Sequence, residues 1–287
     1  MPELPEVEIT ARKLTPLVGK SVLRFFSHWP KSLHAAYSPV EVDWDIRGRA
    51  IETITRHGKV VFLNLGLGPH PKQNTERVLA FHQRMSGRLF IKLEKWHGAK
   101  EMLSPYVRTQ LIFERGVELH FLDPRKFGVV WYGSPQELGN DPYIKSLGPD
   151  ALGIAPEVFK QRFAKRSGAI KPLLLRQDIV AGIGNIIADE TLWKAKIHPL
   201  TLLPTLGTKD HKRLHESLQE TLKRAIKANG STLKDWKHPD GESGGFAKYM
   251  KVYSRKGQPC ETCTTPIIRM VVGGRGTWIC TSCQHKI

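Results

Sequence analysis

The four cysteines constrain this chain most. They stand at Cys260, Cys263, Cys280 and Cys283, all in the last 28 of 287 residues, as two Cys-x2-Cys pairs with sixteen residues between them. That spacing fits a tetrahedral site for one Zn2+ with four thiolate ligands. The intervening IIRMVVGGRGTWI is apolar with a central Gly-Gly, the pattern of a β-hairpin. Four protein ligands leave no open coordination position. The zinc is therefore structural, replacing the core that about 40 residues cannot build alone. Two disulfides or free thiols are the alternative, but cysteines this few and this local cannot staple a long chain, and a reducing cytoplasm suits them.

Ahead of the cysteines the pattern changes twice. Leu4, Val7, Ala11, Leu14 and Val18 recur at spacings of three and four, which predicts a helix stopped at Gly19, with Pro5 in its first turn. From Ser21 to Tyr132 short runs rich in Val, Ile, Phe and Trp predict strands: SVLRFF, DIRGRAIETI, KVVFLNL, RVLAFHQR, GRLFIKL, YVRTQLIFE, GVELHFLD and GVVWY, with a hairpin turn at Arg115-Gly116. So many strands suggest a sandwich or barrel. Leu138 to Gly153 is dense in Gly, Pro and Asp and reads as a connector. Beyond it EVFKQRFAKR, IADETLWKAKI and HKRLHESLQETLKRAIKANG carry helical periodicity, ending at Gly230. DGESGGFA, Asp240 to Ala247, suits a mobile loop.

The charge balance narrows the partners. Lys and Arg number 44 against 27 Asp and Glu, a net charge of +17. Such a field gathers polyanions, nucleic acid above all, although ribosomal and membrane-surface proteins share it. No window offers the roughly 18 apolar residues of a membrane span, and MPELPEVEIT carries acids where a signal peptide needs cations, so membrane insertion and secretion are not expected. The last 41 residues hold Lys248, Lys251, Arg255, Lys256, Arg269, Arg275 and Lys286 against the single acid Glu261. Arg275, in GGRGT, is either a phosphate contact or a solvated turn residue.

The amino terminus carries chemistry of its own. A small second residue permits removal of Met1, which leaves Pro2 with a free secondary amine. An α-amino group has a reference pKa near 8, so a useful share is unprotonated at neutral pH. Condensed with a sugar C1′, a secondary amine gives a cationic iminium, an electron sink that acidifies the C2′ proton and permits strand cleavage by elimination. Glu3, beside it, can move protons to the sugar or the leaving base, and Glu6 is a second candidate. On this segment alone an ordinary helix start with stabilising acids accounts for the same residues.

PELPEVE at 2–8, HGK at 57–59, RMSGRL at 84–89, DPRKFG at 123–128, GIGNIIADE at 182–190 and the four cysteines occur in this order. Together they resemble the formamidopyrimidine-DNA glycosylase and endonuclease VIII family over nearly the whole chain. The resemblance implies an α+β protein: an N-terminal β-sandwich domain with an N-terminal helix (1–137), a linker (138–153), a helix-two-turn-helix domain (154–246) and a zinc finger (247–287), with damaged double-stranded DNA in the cleft between the halves. It implies a monomer without membrane attachment, cytoplasmic and associated with the nucleoid. It also implies that Pro2 is the Schiff-base nucleophile with Glu3 as its acid-base partner and Glu6 in support. Lys59, Asn185 and Arg275 match residues that grip phosphates around the everted nucleotide, and Asn185 also suits a simple N-cap. Met85, Arg125 and Phe127 match residues that fill the hole left by the everted base. By composition alone Met85 and Phe127 would be core residues, but their polar turns argue for loop tips.

Leu4 in PELPE leans towards the formamidopyrimidine branch, which implies excision of 8-oxoguanine and formamidopyrimidines followed by β,δ-elimination. The alternatives are the same lyase acting on oxidised pyrimidines, and a non-catalytic zinc-dependent DNA-binding protein. Residues 66–76, GLGPHPKQNTE, are longer than the family pattern and carry no chemical clue. Gly245 stands where this branch commonly has an aromatic before Phe246.

Overall fold

The computed structural model describes residues 2–93, 104–232 and 236–286. Met1, whose removal the amine chemistry requires, lies outside them. Helix α1 spans Leu4–Lys13. The face expected to continue to Val18 ends early because Pro16 lacks the N–H that would extend the ladder. Thr15–Leu17 turn as a 3-10 segment, Gly19 takes φ +81°, and Val18 is 41% exposed.

Contacts divide the chain into two compact units. The first comprises Met1–Pro2, Glu6–Lys145 and Ser231–Gly244. It contains β1 (Val22–Ser27), β2 (Leu33–His34), α2 (Pro39–Ile46), β3 (Ile51–His57), β4 (Val60–Leu65), β5 (Arg77–His82), β6 (Arg88–Lys92), β7 (Val107–Phe113), β8 (Glu118–Leu122) and β9 (Val129–Gly133), followed by α3 (Pro135–Asn140) and α4 (Pro142–Ser146). One sheet has the order β1-β7-β8-β6 and the other β2-β9-β5-β4-β3. Among the described strands, the short β2–β9 pairing is parallel and the rest are antiparallel. Phe25, Leu89, Leu111 and Phe121 of the first sheet and Leu63, Leu79, Phe81 and Val130 of the second enter a single buried cluster, the inside of a sandwich. Arg115 and Gly116, at φ +56° and +68°, make the β7–β8 turn where the sequence placed one.

The strand expected to open with DIRG begins later. Asp45 and Ile46 end α2, whose start is fixed by a capping box: Glu41 N–H donates to Ser38 Oγ and Ser38 N–H to the Glu41 carboxylate. Residues 66–76, silent in the sequence, close the other end of that helix. Buried Gln73 turns its side-chain amide towards the Trp44, Asp45 and Arg47 carbonyls at 3.1, 2.9 and 3.2 Å, which a helix terminus otherwise leaves unmet. Fully buried Arg49 donates to the Gly66 and Thr75 carbonyls on either side.

Within the segment expected to be a mobile loop, Asp240 and Glu242 pair with Lys13, and Gly244 N–H donates to Thr232 Oγ1 at 2.8 Å. Just ahead of it Ile91 N–H donates to the Pro239 carbonyl at 2.9 Å and the Trp236 indole to Gln83 Oε1 at 3.1 Å.

The second unit comprises Glu3–Pro5, Ser146–Gly230 and Gly245–Ile287. Helices α5 (Pro156–Phe163), α6 (Ile170–Leu174), α7 (Asn185–Lys194) and α8 (Thr208–Lys227) enclose a core of Phe159, Phe163, Leu174, Ile187, Leu192, Leu214 and Leu218. Asn229, at φ +58°, is the left-handed residue that ends α8, and Gly230, at φ +67°, closes the cap by donating its N–H to the Ala225 carbonyl at 2.8 Å. Phe246–Tyr249 form a 3-10 turn with Phe246 buried, so the irregular stretch ends earlier than the glycines suggested. Strands β10 (Ile268–Val272) and β11 (Arg275–Ile279) pair antiparallel across Gly273 and Gly274, both left-handed, the two-residue turn that twisted hairpins favour. No helix among the described residues is long and apolar enough to cross a membrane.

Candidate active site

In the second unit Glu3 caps a helix distant in sequence. Its Oε1 accepts from Ile186 N–H at 2.9 Å and its Oε2 from Ile187 N–H at 3.1 Å, the free amides that open α7. Gly184, the N-cap, has no side chain to do this, and a Cβ there would lie 2.1 Å from Glu3 Cδ. Leu4 N–H donates to the Gly182 carbonyl at 3.1 Å. The Gly-Ile-Gly turn thus grips the residues that follow Pro2. The sequence suggested that these acids stabilise their own helix start; Glu3 instead stabilises the start of α7.

Asn185 is the first residue of α7, so the N-cap position falls on Gly184 and the asparagine side chain is released for another contact. Its Nδ2 donates to the Gly276 carbonyl at 2.9 Å, beside exposed Arg275 at the start of β11.

In the first unit Pro2 is buried. Glu6, in the first turn of α1, accepts from Ser231 N–H at 2.7 Å and Ser231 Oγ at 2.8 Å. Lys59 follows left-handed Gly58 in the β3–β4 turn and is 7% exposed. With Arg84 it acts on His82. Burial first, then the charges of Arg84 and Lys59, push that imidazole down to about 3.

Met85, Arg125 and Phe127 come together at an exposed tip. The Arg125 guanidinium donates to Met85 Sδ at 3.9 Å and stands 4.7 Å from the Phe127 ring centre. Met85 and Phe127 are 52% and 51% exposed, so the loop-tip reading holds and the core reading does not.

The four cysteine Sγ atoms lie within 4.8 Å of one another, with separations of 3.3 Å between Cys263 and Cys280 and 3.9 Å between Cys260 and Cys283. Zn–S bonds of about 2.3 Å in a tetrahedron require sulfur separations of roughly 3.8 Å, so the cluster fits the ion. Cys283 N–H also donates to Cys280 Sγ at 3.4 Å.

Three charged residues that the sequence reading passed over tie this finger to the helices. Asp189 Oδ2 accepts from Trp278 N–H at 3.1 Å, and Glu190 accepts from Lys251, Val252 and Tyr253 N–H at 2.8, 2.9 and 2.9 Å. Lys171, fully buried, pairs with Asp189 at 2.7 Å and donates to Thr277 Oγ1 at 2.7 Å. Burial pushes the Asp189 carboxyl up to about 7 and the Lys171 amine down, each opposed by its partner's charge. Asp189 and Glu190 sit in the GIGNIIADE motif, which was the available signal; Lys171 had none.

Known proteins resemble this chain in sequence and in fold. Family models of the formamidopyrimidine-DNA glycosylase N-terminal domain, its H2TH domain, and the zinc finger found in FPG and IleRS match residues 1–130, 147–237 and 257–286. The formamidopyrimidine-DNA glycosylase of Bacillus subtilis is 37% identical, with all of both chains covered. The chain belongs to the formamidopyrimidine-DNA glycosylase family. The family enzyme of Geobacillus kaustophilus is also 37% identical, over 99% of this chain and all of that one. Among solved structures, the MutM (FPG) protein of Thermus thermophilus superposes with a TM-score of 0.84 at 34% identity, covering 99% of each chain. A Lactococcus lactis Fpg in complex with DNA containing an abasic site gives 0.84 at 30% identity, covering 99% of this chain and all of that one. The family's finger model encloses all four cysteines, which hold one structural zinc.

Proposed function

We propose that the protein is a bifunctional DNA glycosylase and abasic-site lyase of base excision repair, removing 8-oxoguanine and formamidopyrimidines from duplex DNA. Pro2 attacks C1′ as the base departs. The resulting iminium draws electrons from the C2′–H bond, so the 3′ phosphate and then the 5′ phosphate leave by β,δ-elimination. Glu3 moves protons at the sugar, oriented by the two α7 amides that hold its carboxylate. Glu6 and Lys59 support the site, and Lys59, Asn185 and Arg275 grip phosphates. Met85, Arg125 and Phe127 fill the hole left by eversion, which otherwise costs a few kcal/mol. The functional division follows the ranges 1–137, 138–153, 154–246 and 247–287. The protein works as a cytoplasmic, nucleoid-associated monomer.

The observation that carries this reading is the exposed trio: two partly apolar side chains and an arginine, drawn from separate turns, touch at a tip where burial would otherwise be favoured. DNA complexes of family members, one with an abasic site and one with carbocyclic 8-oxo-G, support the substrate class. Borohydride reduction with an 8-oxoguanine duplex tests it. Mass spectrometry is expected to find the DNA on Pro2 of Met-processed protein; an adduct on a lysine, or none, would overturn the lyase assignment.

A further inference from the structure

The chain leaves β5 at His82 and enters β6 at Arg88; it leaves β8 at Leu122 and enters β9 at Val129. His82 pairs with Val129 in one sheet and Arg88 with Leu122 in the other. The Met85 turn and the Arg125–Phe127 loop are therefore adjacent crossovers between the two sheets, at one end of the sandwich. Asp123, 1% exposed, sits at the base of both.

Its carboxylate serves each of them. Oδ1 accepts from Ser86 Oγ, in the Met85 turn, and from Arg125 N–H at 3.2 Å; Oδ2 accepts from Gly128 N–H at 2.6 Å. Its backbone is fixed as well. The carbonyl accepts from Arg108 Nε at 2.8 Å and Lys126 N–H at 3.4 Å, and its N–H donates to the Tyr106 carbonyl at 2.9 Å. Arg84 and Lys126, at φ +50° and +58°, are left-handed residues, one in each turn, so both turns hold conformations that surrounding bonds must enforce. The Ser86–Asp123 bond ties the two turns together beneath the exposed Arg125–Met85 contact.

We propose that Asp123 is a positioning residue that joins the two turns into one pre-assembled wedge, so that Met85 enters the base stack together with Arg125 and Phe127. This rests on the void-filling reading of those three side chains. An apolar side chain ordered before insertion does not lose its freedom during it, which is where the gain in rate originates.

The test uses Ser86→Ala, which cuts the link but leaves the bonds within the second loop. Wedge insertion is read by stopped-flow fluorescence of 2-aminopurine beside 8-oxoguanine in a duplex, and lyase chemistry by cleavage of a single-stranded abasic oligonucleotide, which has no stack to enter. Loss of one hydrogen bond to a charged acceptor should slow insertion about tenfold in the parent protein and less than about twofold in Met85→Ala, whose wedge lacks the positioned group. Single-strand cleavage should be unchanged, and Ser86→Thr should restore the rate. Asp123→Ala, which removes the acceptor altogether, should reproduce the defect. An equal factor in both backgrounds, an equal loss on the single strand, or no change on the duplex would overturn the proposal while Met85→Ala, Arg125→Ala and Phe127→Ala remain slow. If those three insert normally, the void-filling reading itself has failed and the proposal falls with it.

Discussion

His82 links the proposed site to acid stability. Its Nδ1 accepts from Arg84 N–H at 3.0 Å, so the neutral ring shapes the turn that carries Met85. Burial, Arg84 and Lys59 hold its pKa at about 3, whereas the unfolded chain has the ordinary value of 6.5. Above pH 6.5 both states are neutral and the residue adds no pH dependence. As pH falls from about 6.5 towards 3 the unfolded chain takes up a proton that the native state refuses, and stability declines by up to about 1.4 kcal/mol per pH unit. His82→Asn keeps an acceptor and removes the titration. Urea unfolding should show the parent losing roughly 2 kcal/mol more than the variant between about pH 7 and pH 5; parallel losses would sink this account. Residues of this kind mark the limit of sequence reading. The chemistry proposed for Pro2 and Glu3 is local and can be argued from their own segment, but that Glu3 caps α7 depends on amides 183 and 184 positions away.

Helix α7 shows how one element assembles several functions. Its first turn is capped by Glu3, its first side chain holds the Gly276 carbonyl, Asp189 binds the β11 strand of the finger and Glu190 the bend at residues 251–253. Zinc closes the finger internally; these acids fix where it stands relative to α7. Glu190→Ala leaves three N–H groups without an acceptor, that of Val252 buried and those of Lys251 and Tyr253 half-buried, a cost of about 2 kcal/mol or more. Glu190→Gln, whose carbonyl oxygen can still accept two of them, should recover about half of that. Both should retain one zinc, measured by metal analysis after chemical denaturation has given the stability order. Equal stability of alanine and glutamine variants would contradict the bonding derived for this carboxylate. Elements with a clean period or special turn residues were readable: the Gly-Gly hairpin, the amphipathic α8 and the alternating strands. Helix α2 was not, because its two valines and tryptophan mimic strand composition, and its closing partner Gln73 lies beyond a turn and two strands.

At the scale of the whole molecule, a charge of +17 attracts any polyanion, and the contacts proposed for individual arginines say where that attraction is used. Arg275 and Arg125 are both exposed and belong to different units, and the tasks proposed for them differ. A cation that neutralises one phosphate releases about one counterion, so its loss should make the slope of log K against log salt shallower by roughly 0.9 and weaken all duplexes alike. An arginine facing the orphaned base leaves that slope nearly unchanged but alters discrimination among opposite bases, by about 1–3 kcal/mol for a well-formed pair. Arg275→Ala should therefore shift the salt slope and keep the opposite-base ranking, while Arg125→Ala keeps the slope and compresses the ranking. Titrations from low to physiological salt against 8-oxoguanine duplexes with each of the four opposite bases measure both quantities at once. The same response from both variants would mean that net charge, rather than the placement of these two side chains, governs binding.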